Sequence, residues 1–127
     1  MTQLDKETLQ KLNSFIDLYK YYRADYEAVG QFHEEMGELI QATNKYFNRD
    51  KKHYYENVIE ELVDVMFQAQ EIIYMLRMDL ADQMKDSDGR ECVNAFNKMW
   101  NDMVQKKLDK FEKRVKSYLV KYDKNYD

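Results

Sequence analysis

The stretch HEEMGELIQATNKYFNRDKKHYYENVIEELVDVM, residues 33–66, places eight carboxylates inside segments whose apolar spacing is that of core helices. Six of the eight fall into two short clusters, E-E-x-x-E and E-E-x-x-D, which stand on either side of a polar break near Asp50. The six are Glu34, Glu35, Glu38, Glu60, Glu61 and Asp64. Two acidic clusters inside core-like helices call for a physical explanation.

The composition favours an all-α protein. The 127 residues include no proline and only three glycines, so residues that interrupt helices are scarce. Apolar residues recur at steps of three and four in four segments, residues 9–22, 29–47, 54–80 and 92–122, with a turn at DSDGR, residues 86–90. We predict a single domain, residues 1–127, folded as a bundle of four to five helices.

The cysteine count and the apolar distribution bear on the compartment. Cys92 is the only cysteine, so no intramolecular disulfide can form and a reducing compartment is expected. The first ten residues, MTQLDKETLQ, lack the apolar run of a signal peptide. No window approaches the roughly 20 apolar residues that a membrane span needs. We therefore expect a cytoplasmic protein with no membrane partner.

The net charge of −4 is unevenly distributed along the chain. Residues 105–127 carry eight basic and four acidic side chains, a net charge of +4, which leaves −8 for the other 104 residues. A tail of only +4 beside an acidic remainder argues against a nucleic-acid partner. An acidic body followed by a basic helix suits a metal ion together with an anionic ligand.

Helical spacing brings the carboxylates together in pairs. Residues three apart share a helix face, so Glu35 projects with Glu38, and Glu61 with Asp64. If the two helices pack antiparallel through the loop near Asp50, four carboxylates converge at a partly buried seam and raise one another's pKa values. A divalent cation would relieve that repulsion, and all-oxygen ligands suit magnesium or manganese. The alternative is that these acidic residues only solvate helix surfaces.

The motifs E-E-M-G-E, residues 34–38, and E-L-V-D, residues 61–64, resemble the signature of MazG-like, all-α nucleoside triphosphate pyrophosphohydrolases. That superfamily also includes dimeric dUTPases and phosphoribosyl-ATP pyrophosphohydrolases, and the likeness covers about residues 29–76. The resemblance implies hydrolysis of a nucleoside triphosphate between its α- and β-phosphorus atoms, giving a monophosphate and pyrophosphate. It implies catalytic roles for Glu34, Glu35, Glu38, Glu61 and Asp64. The last four would bind Mg²⁺, and Glu34 would lie in the outer shell or orient water.

The triphosphate and the base need further groups. Lys107, Lys110 and Arg114 are spaced three and four apart, so they share one face of the last helix and are candidates for binding phosphate. The string K-F-E-K-R, residues 110–114, is similar to a sequence near the end of some MazG domains. Tyr19 and Tyr22 precede the first cluster, where the family places base-contacting groups, and a base can stack on such rings. The alternatives are a solvated basic face for the cations, and core or subunit interface for the tyrosines.

A single four-helix chain would leave part of the apolar arc at residues 54–76 exposed to water. We therefore predict a homodimer or homotetramer, as is typical of the MazG-like family that the sequence resembles.

A ferritin-like di-iron site would need Glu-x-x-His pairs, and no E-x-x-H occurs in the sequence. The alternative function is a non-catalytic helical binding or interaction module that keeps the family fold. The sequence leaves open the preferred base and sugar, and the carboxylate that activates water.

Overall fold

A computed structural model describes residues 4–85 and 90–122 of the chain. The helices in these ranges are α1 (Lys6–Tyr19), α2 (Asp25–Asn48), α3 (Lys51–Met84) and α4 (Arg90–Tyr122). No strand occurs in the same residues, so the all-α prediction is confirmed. None of these helices has a stretch that is both long and apolar enough to cross a membrane. The turn predicted at residues 86–90 lies, except for its last residue, outside the described residues.

The chain divides into two compact units. The first ends at Asp79 and holds α1, α2 and most of α3, and the second begins at Leu80 and holds the end of α3 and all of α4. The single domain over residues 1–127 stays a prediction. Both acidic clusters and both candidate base-binding tyrosines belong to the first unit, whereas the candidate phosphate-binding cations belong to the second.

Aspartate side chains cap the N-termini of two of the helices. Asp5 accepts a hydrogen bond from the backbone N–H of Thr8 at 2.7 Å, and Asp50 accepts one from the backbone N–H of His53 at 3.2 Å. Such bonds satisfy N–H groups that a helix leaves unpaired at its start. Only Arg49 and Asp50 separate α2 from α3. A connection this short makes the two helices antiparallel neighbours.

The first helix ends earlier than the apolar spacing predicts. The spacing extends to Tyr22, but α1 ends at Tyr19. The backbone N–H of Tyr22 donates to the carbonyl of Tyr19 at 2.9 Å, and that of Tyr21 donates to Leu18 at 3.2 Å. These i to i+3 bonds tighten the last turn and close the helix. Tyr22 therefore lies in the turn between α1 and α2, where 83% of its surface is exposed.

Side-chain hydrogen bonds tie α1 to α3. The Nε2 of Gln70 donates to Oδ1 of Asn13 at 3.1 Å. The hydroxyl of Tyr74 donates to a carboxylate oxygen of Asp17. Because the bonded partners advance by four residues on both helices, α1 runs parallel to α3 and antiparallel to α2.

A buried ion pair joins the turn after α1 to the other two helices of the first unit. Glu71, only 5% exposed, is the single buried charged residue in the described parts of the chain, and its Oε1 bonds Nη2 of Arg23. The Nη1 of the same guanidinium donates to Oε1 of Gln31 on α2 at 2.5 Å. The guanidinium carbon also lies 4.7 Å from the centre of the Tyr19 ring. One arginine thus contacts α1, α2 and α3.

Replacing Glu71 with alanine should lower the free energy of unfolding by about 3 kcal/mol, because the guanidinium of Arg23 would stay buried without its charge partner. Urea titration followed by circular dichroism measures this loss. The matched control is Asp102→Ala, which removes the partner of exposed Lys98 at 2.8 Å and should cause a much smaller loss, because solvent screens an exposed ion pair. Equal losses in the two variants would contradict a special role for the buried pair.

Candidate functional site

The two acidic clusters meet on the facing sides of α2 and α3. One carboxylate oxygen from each of Glu35, Glu38, Glu61 and Asp64 lies within 4.8 Å of the corresponding oxygens of the other three. Across the two helices, the strongest repulsion on Glu61 comes from Glu38, and the strongest on Glu35 comes from Asp64. That is the pairing expected of an antiparallel hairpin with a two-residue connection. The convergence predicted from helical spacing is therefore present.

Burial makes this cluster different from an ordinary acidic surface. Glu35, Glu61 and Asp64 are half-buried, and Glu38 is exposed. One oxygen of Glu35 and one of Glu61, in both cases Oε2, are buried and have no hydrogen-bond partner within residues 4–85 and 90–122. A buried carboxylate oxygen without a donor or cation is costly. These two oxygens fit the role of cation ligands.

The same environment changes the pKa values of two of the carboxyls. Burial raises the pKa of Glu35 above its ordinary 4.5, and the negative charges of Glu38 and Asp64 raise it further. Burial also raises the pKa of Glu61, and the charge of Glu38 adds to the effect. A carboxyl whose pKa is higher in the folded state favours folding when protonated, so this contribution is complete below its unfolded pKa and is lost as pH rises through the raised pKa. Above that raised pKa, the ionised cluster opposes folding of the hairpin.

The donor set suits a hard divalent cation. All four groups are carboxylates, with neither imidazole nor thiolate among them. Oxygen ligands of this kind bind magnesium, manganese or calcium rather than metals that prefer nitrogen or sulfur. A cation held there would offset the mutual repulsion and satisfy the two buried oxygens.

The fifth acidic residue of the motif stands apart from the four. Glu34 is exposed and does not share the cluster of converging oxygens. Its negative charge is still close enough to contribute to the raised pKa of Glu35. Its role in the outer shell or in orienting water stays a prediction.

Tyr19 and Tyr22 border a groove of about 490 Å³ between α1 and α3. Phe67, Gln68 and Glu71 of α3 line the same groove. On α3, the cluster positions 61 and 64 and the groove positions 68 and 71 are spaced three and four residues apart. The acidic cluster and the groove therefore lie on the same face of this helix. The structure thus places the two candidate base-binding tyrosines on one groove, and the α3 residues of this groove begin about one helical turn beyond Asp64.

The candidate phosphate-binding cations lie on α4, in the second unit. Lys107, Lys110 and Arg114 are all exposed. Lys107 and Lys110 border one shallow, lysine-rich surface. Arg114 borders a different surface, beside Phe111 and Tyr118. Phosphate binding by these three residues stays a prediction.

Two glutamines that continue the seam were not predicted from the sequence. Gln31 on α2 lies one helical turn before Glu35, and Gln68 on α3 lies one turn after Asp64. In the antiparallel register these glutamines face each other in the next layer. Their spacing was visible in the sequence, but uncharged side chains at such steps also occur on solvated helix faces. Only the packing of α1 over α3 distinguishes the two cases.

No protein-family model, curated protein or solved structure gives a significant match to the chain. The resemblance to MazG-like proteins therefore depends on the two motifs and on the residues around them. The convergence of those motifs at one seam is a separate observation, because it follows from the packing of α2 on α3.

Magnesium should stabilise the protein through the four-carboxylate cluster. At a concentration one hundred times the Kd, we expect Mg²⁺ to raise the free energy of unfolding by about 2.7 kcal/mol, because only the folded hairpin brings the ligands together. Urea unfolding across a magnesium titration measures the gain. Glu38→Gln and Asp64→Asn should largely abolish it.

The control for this experiment is Glu56→Gln, which removes an exposed carboxylate of α3 outside the cluster and should leave the magnesium effect intact. Direct binding of Mn²⁺, followed by its electron paramagnetic resonance signal, provides a second readout. An equal magnesium effect in wild type and in both cluster variants would show that the cation binds elsewhere.

Proposed function

We propose that the protein is a magnesium-dependent nucleotide pyrophosphohydrolase of the MazG-like type. It cleaves a nucleoside or deoxynucleoside triphosphate between the α- and β-phosphates, and water adds across the phosphoanhydride to give a monophosphate and pyrophosphate. The observation that supports this proposal best is the convergence of four motif carboxylates from two helices. Two of their oxygens are buried and have no hydrogen-bond partner in the part of the chain that the structure describes.

Each residue of the cluster has a task in this proposal. Glu35, Glu38, Glu61 and Asp64 hold the cation, with manganese as the expected substitute for magnesium. A divalent ion bound there would supply positive charge to the phosphate oxygens and help to activate the attacking water. A carboxylate oxygen that is not engaged with the metal accepts the proton of the attacking water. Glu34, exposed beside Glu35, is the candidate for orienting that water from the outer shell.

The rest of the substrate is assigned to residues outside the cluster. Lys107, Lys110 and Arg114 are proposed to bind the phosphates, since their charges are exposed along one helix. The base is proposed to stack on Tyr19 or Tyr22 at the edge of the α1–α3 groove. With a single cysteine in the chain, the cytoplasm is the proposed compartment.

Glu38→Ala and Asp64→Ala should each reduce pyrophosphate release at least about 100-fold, because each removes a ligand of the ion that stabilises the developing charge. The measurement is release of pyrophosphate and monophosphate from a panel of canonical and modified nucleoside triphosphates, with and without magnesium. Glu56→Gln is the matched control and should keep wild-type activity. Substrate ranking in the wild type then identifies the preferred base and sugar.

The same panel tests the alternative function. Absence of both cleavage and metal binding in the folded protein would contradict the catalytic proposal and favour a non-catalytic helical interaction module. Magnesium binding without cleavage of any triphosphate would place the substrate outside the panel. Cleavage that does not depend on magnesium would contradict the proposed role of the cluster.

We also propose that the protein is a homodimer or homotetramer. In the described residues only four apolar side chains are buried, Ile16, Ala28, Ala42 and Cys92, which is a small core for a chain of 127 residues. Large apolar side chains at steps of four, three and four remain exposed along α3, at Tyr55, Ile59, Leu62 and Met66. A second copy packed on this stripe would remove it from water.

Ile59→Arg should shift the protein towards monomer, because a guanidinium in the middle of the α3 stripe opposes burial of that face. Sedimentation velocity at micromolar concentration measures the change. Gln10→Arg, which places the same charge on an exposed position of α1, should leave the oligomeric state unchanged. A wild-type protein that sediments as a monomer with full activity would contradict the proposal.

A further inference from the structure

The groove between α1 and α3 holds a polar atom that the protein leaves unsatisfied. Gln68 lines the groove, and its Oε1 is buried and has no hydrogen-bond partner among the described residues. Buried side-chain oxygens in native structures are nearly always paired, so an exception needs an explanation. Gln31, which occupies the opposite position on α2 in the antiparallel register, has its own Oε1 engaged with Arg23.

The position of Gln68 relates this atom to the proposed substrate. Asp64 and Gln68 are four residues apart on α3, which separates them by about 6 Å along the helix axis. Gln68 therefore lies one turn beyond the cluster, on the side of the groove. In a nucleotide whose α-phosphate is at the cluster, the base lies one sugar away from that phosphate.

The walls of the groove suit a flat ring. Phe67 lines one side from α3, and the exposed rings of Tyr19 and Tyr22 line the other from α1 and the turn after it. Aromatic surfaces of this kind stack on bases and tolerate many of them. Stacking therefore gives affinity without selecting a base, and selection needs a polar group at the ring edge.

We propose that Gln68 is a specificity-determining residue whose Oε1 accepts a hydrogen bond from an N–H on the edge of the base in this groove. The inference rests on the proposed function and restricts the range of nucleotides that the proposed enzyme would accept. They are nucleotides whose base presents an N–H at that edge, either an amino group or a ring imide. Bases in which that nitrogen is fully alkylated leave the buried oxygen unpaired and are disfavoured.

The test compares matched ligands by calorimetry in the presence of magnesium. The probe is the non-hydrolysable α,β-methylene triphosphate of whichever natural base binds the wild type best, together with its twin alkylated at the edge nitrogen. We expect the wild type to bind the natural base at least about tenfold more tightly than its twin. Gln68→Leu and Gln68→Met should bind the two ligands equally, and their affinity for Mn²⁺ should be unchanged.

Gln41→Leu is the matched control, since it removes an exposed glutamine of α2 outside the groove and should keep the tenfold preference. Discrimination that persists in a folded Gln68→Leu or Gln68→Met variant would overturn the inference, as would a wild type that binds neither ligand. If cleavage is observed without discrimination, the proposed function stands and this inference fails. If discrimination is observed without cleavage, the base site stands and the proposed reaction fails.

Discussion

Repulsion among four carboxylates at one helix seam is the constraint on which the rest of the first unit depends. Burial and mutual charge raise the pKa values of Glu35 and Glu61, so the seam pushes α2 and α3 apart when these carboxyls are ionised. The two-residue connection at Arg49 and Asp50 prevents the helices from relieving this by sliding. Other contacts must therefore hold α2 and α3 together. A cation bound at the seam would remove the repulsion itself.

That attraction comes in part from α1 and the turn that follows it. The turn places Arg23 where its guanidinium contacts Glu71 on α3 and Gln31 on α2, which are the two helices that the carboxylates separate. A buried ion pair is weak evidence for stability by itself, because desolvation costs nearly as much as the attraction provides. Here its geometric effect matters more, since one side chain fixes the distance between α2 and α3 next to the cluster. Glu71, one member of this contact, also lines the proposed base groove.

The sequence was sufficient for the helices and for the convergence of the carboxylates, because both depend on periodicity and on a short loop. It was insufficient for the end of α1, since the apolar spacing continues to Tyr22 while the backbone turns after Tyr19. The role of Gln68 was not predicted either, because an uncharged residue at helical spacing gives the same sequence pattern on a solvated face as in a groove. The three cations of α4 show the opposite case. Their spacing predicts one shared helix face, and all three are exposed on α4, but Lys107 and Lys110 border one surface and Arg114 borders another. Spacing within one helix also contains no information about the distance to another helix.

The connection between α2 and α3 has a consequence for how the chain can change in length. Glu38 lies eleven residues before Arg49, and Glu61 lies eleven residues after Asp50, so the two arms of the hairpin are equal. A residue inserted into one arm alone would rotate every position beyond it by about 100° and move one acidic pair off the seam. Insertions that preserve the pairing must occur in both arms and in nearly whole turns. The spacing of 22 residues between the motifs is thus set by the geometry of the hairpin. In diverged sequences that keep this architecture, the two arms should stay equal in length even where the residues within them change.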